Sequence, residues 1–498
     1  MLVRTKVLLS TVALTAGMLA VPVTPASAVD NINSYQLTKA VTVNGILGHA
    51  RALQRIANAN DGNRAAGTPG YEASARYVER VLVRAGYDVT WQPFEFAYEE
   101  ETTPTSFVQT APAEEDYAAI RMTYSGNGSV TGSVEEIDPA PFPSTSGCEA
   151  SDFAGFTAGA IALVHRGTCP FAQKAVNAEA AGAAGVVVAN AGEADPETPL
   201  NGTLGEAGIV DIPVVGVSQA AGEQIAAAAD GGEFSLNVDV LAEQRTTWNI
   251  LADSPTGDPA RTVVVGAHLD SVGEGAGIND NGSGTATILE IAEEMSELGV
   301  QNRQRIRFAF WGAEELGLLG AEHYVANLSD TELDQTYANL NFDMLGSKNY
   351  VPFVYDGDGS AFGTAGPPGS DAIETVFTDY LQKRAGGSVE TAFDGRSDYG
   401  PFIAAGIPAG GLFSGAEEIK TEEQAATFGG TAGEAYDDCY HTPCDDISSL
   451  NTDALAELGD AAAHATYVMA RTRTGLFPDL SRRGEARPLA TTTLEGAA

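Results

Sequence analysis

Thr262-Val263-Val264-Val265-Gly266-Ala267-His268-Leu269-Asp270 decides how this chain folds. The run Thr262–Ala267 is continuously apolar or small, the signature of a strand covered on both faces. An imidazole and a carboxylate follow at once. Downstream, residues 283–298 read as a helix with Ile288, Leu289, Ile291, Ala292 and Met295 spaced for burial. Residues 306–311 read as the next strand, 317–328 as a helix and 337–342 as a third strand. A long helix over 453–470 closes the unit. This alternation predicts an α/β fold, with a mixed, mostly parallel sheet sandwiched by helices.

Upstream, residues 35–97 carry two helical patterns and a half-buried strand. The acidic, Pro- and Thr-containing stretch 98–118 reads as a linker. From 120 to 244 short Val/Ile runs alternate with Gly, Pro and Ala-rich helical stretches, which predicts a small, β-rich inserted module. With 498 residues, two or three folding units are expected. The expected divisions are 1–28, 29–119, 120–244, 245–474 and a flexible C-terminal tail, 475–498, which lacks any core pattern.

Residues 1–28 read as a signal peptide. Arg4 and Lys6 precede the apolar run Val7–Ala20, and Pro25-Ala26-Ser27-Ala28 supplies a small-residue cleavage site. A secreted, extracellular protein is expected, with no membrane contact after cleavage. The formal charge of −40 offers no basic footprint, which argues against a nucleic-acid partner. Export permits disulfides. Four cysteines allow three pairings. Cys439 and Cys444 enclose a tight Pro-containing loop that a bridge could lock, and Cys148 and Cys169 then pair by default. A thiolate zinc site competes, but the spacing fits no zinc finger.

Ligands in α/β sheets bind beyond the carboxyl ends of strands. Three predicted strands are followed there by His268 and Asp270, by Glu314-Glu315 and by Asp343. Asp280 lies on a Gly/Asn-rich loop and His441 on the Cys-bracketed loop. This mixture of imidazoles and carboxylates suits zinc. Two metals fit if His268 and His441 each serve one, Glu315 and Asp343 each add a carboxylate, and Asp280 bridges. Glu314 is then left as a free base beside a water held between the metals. Asp270 is placed to accept the other ring N–H of His268. His49, His165, His323 and His464 read as structural.

The segments Ala267–Ser271, Gly277–Gly284, Trp311–Gly317, Asn341–Met344 and Cys439–Asp445 together resemble the secreted co-catalytic zinc aminopeptidases of the leucine-aminopeptidase type. The resemblance implies a zinc-exopeptidase fold with two Zn2+. His268 and Asp343 would hold one ion, Glu315 and His441 the other, and Asp280 would bridge them. Glu314 would be the general base, acting on a bridging water. Tyr440 would hydrogen-bond the oxyanion, and the Asp280–Asn281 bond would be cis. Met344, Arg396 and Phe413 would frame the substrate's first residue, a large hydrophobic one such as Leu. Peptide or protein N-termini are the implied partners of an expected monomer. The resemblance allows a calcium ion besides the two Zn2+ and assigns no residue to it. Ile161–Phe171 and Ile212–Val215 resemble landmarks of a protease-associated domain, inserted in a peptidase unit formed by 29–119 and 245–474. Two rivals share these features: a zinc carboxypeptidase or dipeptidase of the glutamate-releasing type, and a non-catalytic receptor-like relative.

Overall fold

A computed structural model describes residues 32–476 except 140–141, 192–195, 206, 385 and 474. The expected signal peptide, 1–28, and all residues beyond 476 lie outside the described part. After a short helix α1 (Tyr35–Ala40), threonine hydroxyls start the next two helices. Thr42 accepts the amide of Gly45 ahead of α2 (Val43–Asn58), and Thr68 accepts that of Tyr71 ahead of α3 (Pro69–Arg84). Each satisfies a donor that the first helical turn leaves unpaired.

The chain continues through β1 (Asp88–Ala111), β2 (Glu115–Tyr117), β3 (Ala119–Arg121), β4 (Gly128–Gly132), β5 (Val134–Glu136), β6 (Ile161–His165), α4 (Phe171–Ala180), β7 (Gly185–Ala189), β8 (Val214–Val217) and α5 (Gln219–Ala228). It returns along β9 (Glu233–Asp253), which pairs antiparallel with β1 over nearly its whole length. The stretch 98–118 is therefore not the linker its composition suggests. It forms the outer half of β1, together with β2, and Phe107 stacks on Phe234 of β9 at 5.6 Å. Strands β3-β8-β7-β6-β5 form a separate five-stranded sheet, parallel except at β3. Its module carries the Cys148–Cys169 disulfide. The expected divisions after 119 and 244 fall at the start of β3 and inside β9, respectively.

The remaining elements are β10 (Asp258–His268), α6 (Gly282–Glu297), β11 (Gln304–Trp311), α7 (Leu319–Ala326), α8 (Asp330–Gln335), β12 (Thr336–Phe342), β13 (Phe353–Tyr355), α9 (Ser370–Arg384), β14 (Val389–Thr391), α10 (Tyr399–Ala404), β15 (Ala409–Phe413), α11 (Glu422–Phe428) and α12 (Thr452–Arg471). The large sheet runs β14-β13-β15-β12-β10-β11-β9-β1-β2, with β4 also on β9. Its centre, β15-β12-β10-β11, is parallel. Val263 and Val265 face a core shared with Ile46, Leu53, Ile288 and Leu458 from α2, α6 and α12. Val264 faces a second core with Trp311, Tyr324 and Phe402. Burial on both faces explains the unbroken apolar run of β10. Leu476 is only 3% exposed, and its amide donates to the Tyr337 hydroxyl. The packed chain thus extends past 475, where a flexible tail was expected, because Leu476 completes the main core.

Candidate metal centre and active site

Strand β10 has β11 on one side and β12 on the other, so the sheet's winding reverses at its carboxyl end. Such a switch point opens a crevice between the diverging connections. In the β ladder His268 is level with Trp311, and Gly266 with Asn341. Register therefore brings His268, the turn after Trp311 and Asp343 to one rim.

Two groups of donors converge there. His268 Nε2 lies 3.1 Å from Asp280 Oδ1 and 3.4 Å from Asp343 Oδ1. His441 Nε2 lies 3.1 Å from both Asp280 Oδ2 and Glu315 Oε2. Asp280 thus offers one carboxylate oxygen to each imidazole. Glu314 Oε2 stands at 3.8 Å from His268 Nε2, beside the first group. The buried atoms Asp343 Oδ1 and Glu315 Oε1 have no hydrogen-bond partner. Imidazole nitrogens and unsatisfied carboxylate oxygens this close suit small divalent transition-metal ions. His49, His165, His323 and His464 all lie elsewhere, paired with Glu293, Glu136, Phe94 and Ser34 respectively.

A family model described as Peptidase family M28 matches residues 249–466, and a PA domain model matches 130–225. An aminopeptidase from Pseudomonas aeruginosa is 48% identical over 459 residues, covering 90% of this chain and 85% of that protein. A probable leucine aminopeptidase 2 from Aspergillus fumigatus is 41% identical, covering 84% and 81%. The solved structure of a zinc aminopeptidase from Bacillus subtilis aligns at TM-score 0.64 and 27% identity, covering 86% of this chain and 96% of that one. The chain belongs to peptidase family M28. It is an aminopeptidase of that family, a peptide hydrolase, with an inserted PA domain.

In this M28 aminopeptidase the local backbone is bent to present the site. Ala313, Met344 and His441 adopt φ of 57°, 52° and 55°. Left-handed backbone is uncommon outside glycine and costs on the order of 1–3 kcal/mol per residue, so the surroundings must impose it. These residues immediately precede Glu314, follow Asp343 and supply the second imidazole. The Asp280–Asn281 peptide is cis. Asn281 then caps α6, its side chain accepting the Gly284 amide.

Asp270 faces the His268 ring as expected from sequence, at a distance just beyond a hydrogen bond. It stands 3.6 Å from His268 Nδ1 and also accepts the amides of Glu314 and Glu315, at 3.2 and 3.4 Å. It therefore fixes the turn carrying both glutamates. Ser397, not singled out from sequence, donates to Asp343 Oδ2 at 2.6 Å and accepts from Asn341 Nδ2 at 2.8 Å. This leaves Asp343 Oδ1 free to face His268. The one signal for Ser397 was its position beside Arg396.

Burial raises the Glu314 pKa well above the carboxylate range, opposed by His268 and reinforced by Asp398, Glu315 and Asp343. Burial and the charge of Asp280 push Glu315 up to about 7. Burial works against a charge on His441, yet its bonds to Asp280 and Glu315 raise it to about 10. The site is therefore a dense set of acids with two imidazoles for company.

The adjoining pocket is lined by Met344, Tyr355, Thr391, Ala392, Arg396 and Phe413, so all three pocket residues expected from sequence meet there. Tyr355 stacks on Phe393 at 5.2 Å and packs on Tyr399 at 4.6 Å. Arg396 is not free: Nη2 is 2.9 Å from Glu417, Nη1 is 3.6 Å from Glu418, and the Tyr440 hydroxyl is 3.4 Å away. The Tyr440 ring stacks on His441 at 3.8 Å. The Cys439–Cys444 disulfide closes the loop that carries both rings.

Proposed function

We propose that this M28 peptidase is a secreted aminopeptidase holding two zinc ions, with a preference for large hydrophobic N-terminal residues such as leucine. The observation that carries the two-ion reading is the split use of Asp280, each of whose oxygens lies 3.1 Å from a different histidine. Donors sharing a tetrahedral zinc at 2.0–2.1 Å stand ~3.3 Å apart, so the spacing within each group fits the ion. His268 and Asp343 would hold one zinc, His441 and Glu315 the other, and Asp280 both. The unpartnered oxygens of Asp343 and Glu315 support this assignment. The Bacillus relative's description as a zinc enzyme supports the choice of metal.

When bound, the ions polarise the scissile carbonyl and make water a nucleophile near neutral pH. Glu314, in reach of the same space but not needed as a ligand, takes the proton of the attacking water and returns it to the leaving amine. Tyr440 donates a hydrogen bond from its hydroxyl to the oxygen that develops charge at the former carbonyl. Carboxylates around the centre favour the substrate's terminal ammonium. The apolar pocket of Met344, Tyr355 and Phe413 suits a large side chain, and the description of the Aspergillus relative as a leucine aminopeptidase supports that choice. A carboxypeptidase needs a free cation for a terminal carboxylate, and Arg396 is bound by two glutamates. A receptor-like loss of ligands does not fit a complete donor set. Two disulfides support an exported protein.

The test combines elemental analysis with a panel of free-amino and N-acetylated leucyl substrates. Two zinc ions per active chain and cleavage of free-amino substrates alone are expected. Full activity with one ion overturns the two-ion reading. Equal cleavage of acetylated substrates overturns the aminopeptidase specificity.

A further inference from the structure

Asp445 directly follows the disulfide loop, is 2% exposed and does not line the pocket. It collects three successive amides from a distant segment. Ile278 N–H donates to its carbonyl at 3.4 Å, Asn279 N–H to Oδ1 at 2.6 Å and Asp280 N–H to Oδ2 at 3.0 Å. On the other side of the disulfide, Asp437 accepts from Asn279 Nδ2 at 2.5 Å. From across the same segment the fully buried Arg64 donates Nε to the Ala276 carbonyl at 2.9 Å and Nη2 to the Gly277 carbonyl at 2.5 Å, and Nη1 reaches the Leu269 carbonyl. Residues 276–280 belong to no helix or strand. The carbonyls of Ala276 and Gly277 are gripped by a buried guanidinium, and the amides of Ile278, Asn279 and Asp280 by one buried aspartate.

We propose that Asp445 is a positioning residue, which sets the aim of the Asp280 carboxylate and keeps it in register with His441. The inference rests on reading Asp280 as the ligand shared by both ions. A shared ligand must satisfy two centres at once, which tolerates about 0.5 Å of error. A loop with no ladder of its own needs side chains to supply that rigidity. Asp445 suits the task because its carboxylate accepts two amides side by side. Its chain neighbour Cys444 ties it to the loop bearing His441, so one short segment places ligands of both groups. An asparagine there would face one amide donor with another donor, leaving a buried N–H unpaired.

The test uses the full chain carrying Asp445→Asn, with Asp438→Asn, an exposed aspartate just ahead of the disulfide loop, as the control. Zinc affinity and kcat should each fall ~10–100-fold in Asp445→Asn, with KM for leucine anilide unchanged. Amide exchange read by mass spectrometry on a peptide covering 277–281 should quicken at least tenfold in the zinc-stripped chain, while core peptides keep their protection. Wild-type zinc affinity and exchange in Asp445→Asn overturn the proposal. So does a uniform loss of protection across the core, which marks a merely structural role. If the variant fails to fold, the stripped wild-type chain decides: slow exchange in 277–281 supports the clamp, and loop-like fast exchange overturns it. Asp280→Asn separates the two readings. If it keeps full zinc, the shared-ligand reading fails, whatever the exchange result says of the clamp.

Discussion

Glu314 and Glu315 are neighbours whose side chains the fold sends to different places. Glu315 reaches His441 at 3.1 Å, whereas Glu314 stands 3.8 Å from His268. Glu315→Ala should lose zinc by elemental analysis. Glu314→Gln should keep its zinc and lose about 10²–10⁴ in kcat on an amino-acid anilide, the contribution of a positioned base. A Glu314→Gln enzyme that turns over normally would overturn its assignment as base. Away from the site, burial and then Lys383 push the His464 pKa down to about 4. The unfolded chain takes that proton near pH 6.5, so the folded state loses stability as pH falls from 6.5 towards 4. This lost stability amounts to at most ~3 kcal/mol. His464→Gln should flatten the dependence in urea titrations between pH 7 and 4. The proposed ligands were legible because each follows an apolar run or sits in a distinctive loop. Arg64 and Asp445 were not, because they act on backbone groups more than 150 residues away, which no local pattern encodes.

Among the elements, the Cys439–Cys444 loop bears most directly on function. It closes a short ring, so removing it relaxes the unfolded chain little, by about 2 kcal/mol. It carries Tyr440 and His441 and precedes Asp445. Cys439→Ser/Cys444→Ser should therefore lose activity and zinc at temperatures where far-UV circular dichroism is still native. Equal activity of the double variant and the wild type at 25 °C would show that the fold holds the loop unaided. Strand β10 was legible from its unbroken apolar run, since burial on both faces favours apolar residues. The outer half of β1 was not. Its residues Glu99–Thr105 are largely exposed, with no apolar alternation to reveal them. They are strand because β9 pairs with them, and a partner more than a hundred residues away leaves no mark on local composition.

At the scale of the whole molecule, the β1–β9 ribbon is the stem on which the PA domain is inserted. Removing 120–244 would strip β9 from the paired outer half of β1. The ladder instead offers a cut at Phe96 and Arg245, which are partners in register. A chain lacking 97–244 and closed there by an Asn-Gly turn should keep its zinc and its turnover of small anilides while changing its rate on long peptides. Loss of zinc from a folded deletion variant would make the insert part of the catalytic unit. The ribbon also bears on how the protein reaches its native state. Strands β1 and β9 must find each other across the whole of the insert, and closing so long a loop is entropically slow. Once β6, β7 and β8 have condensed, their module holds the two chain ends side by side. The search for the remaining pairs then becomes local, which lowers the closure cost by ~3 kcal/mol. The PA domain is thereby cast as a nucleus for the enzyme around it. Val187→Ala, in the middle of its buried sheet, should slow refolding from urea about tenfold with both disulfides intact, measured by regain of tryptophan fluorescence, and leave the mature kcat untouched.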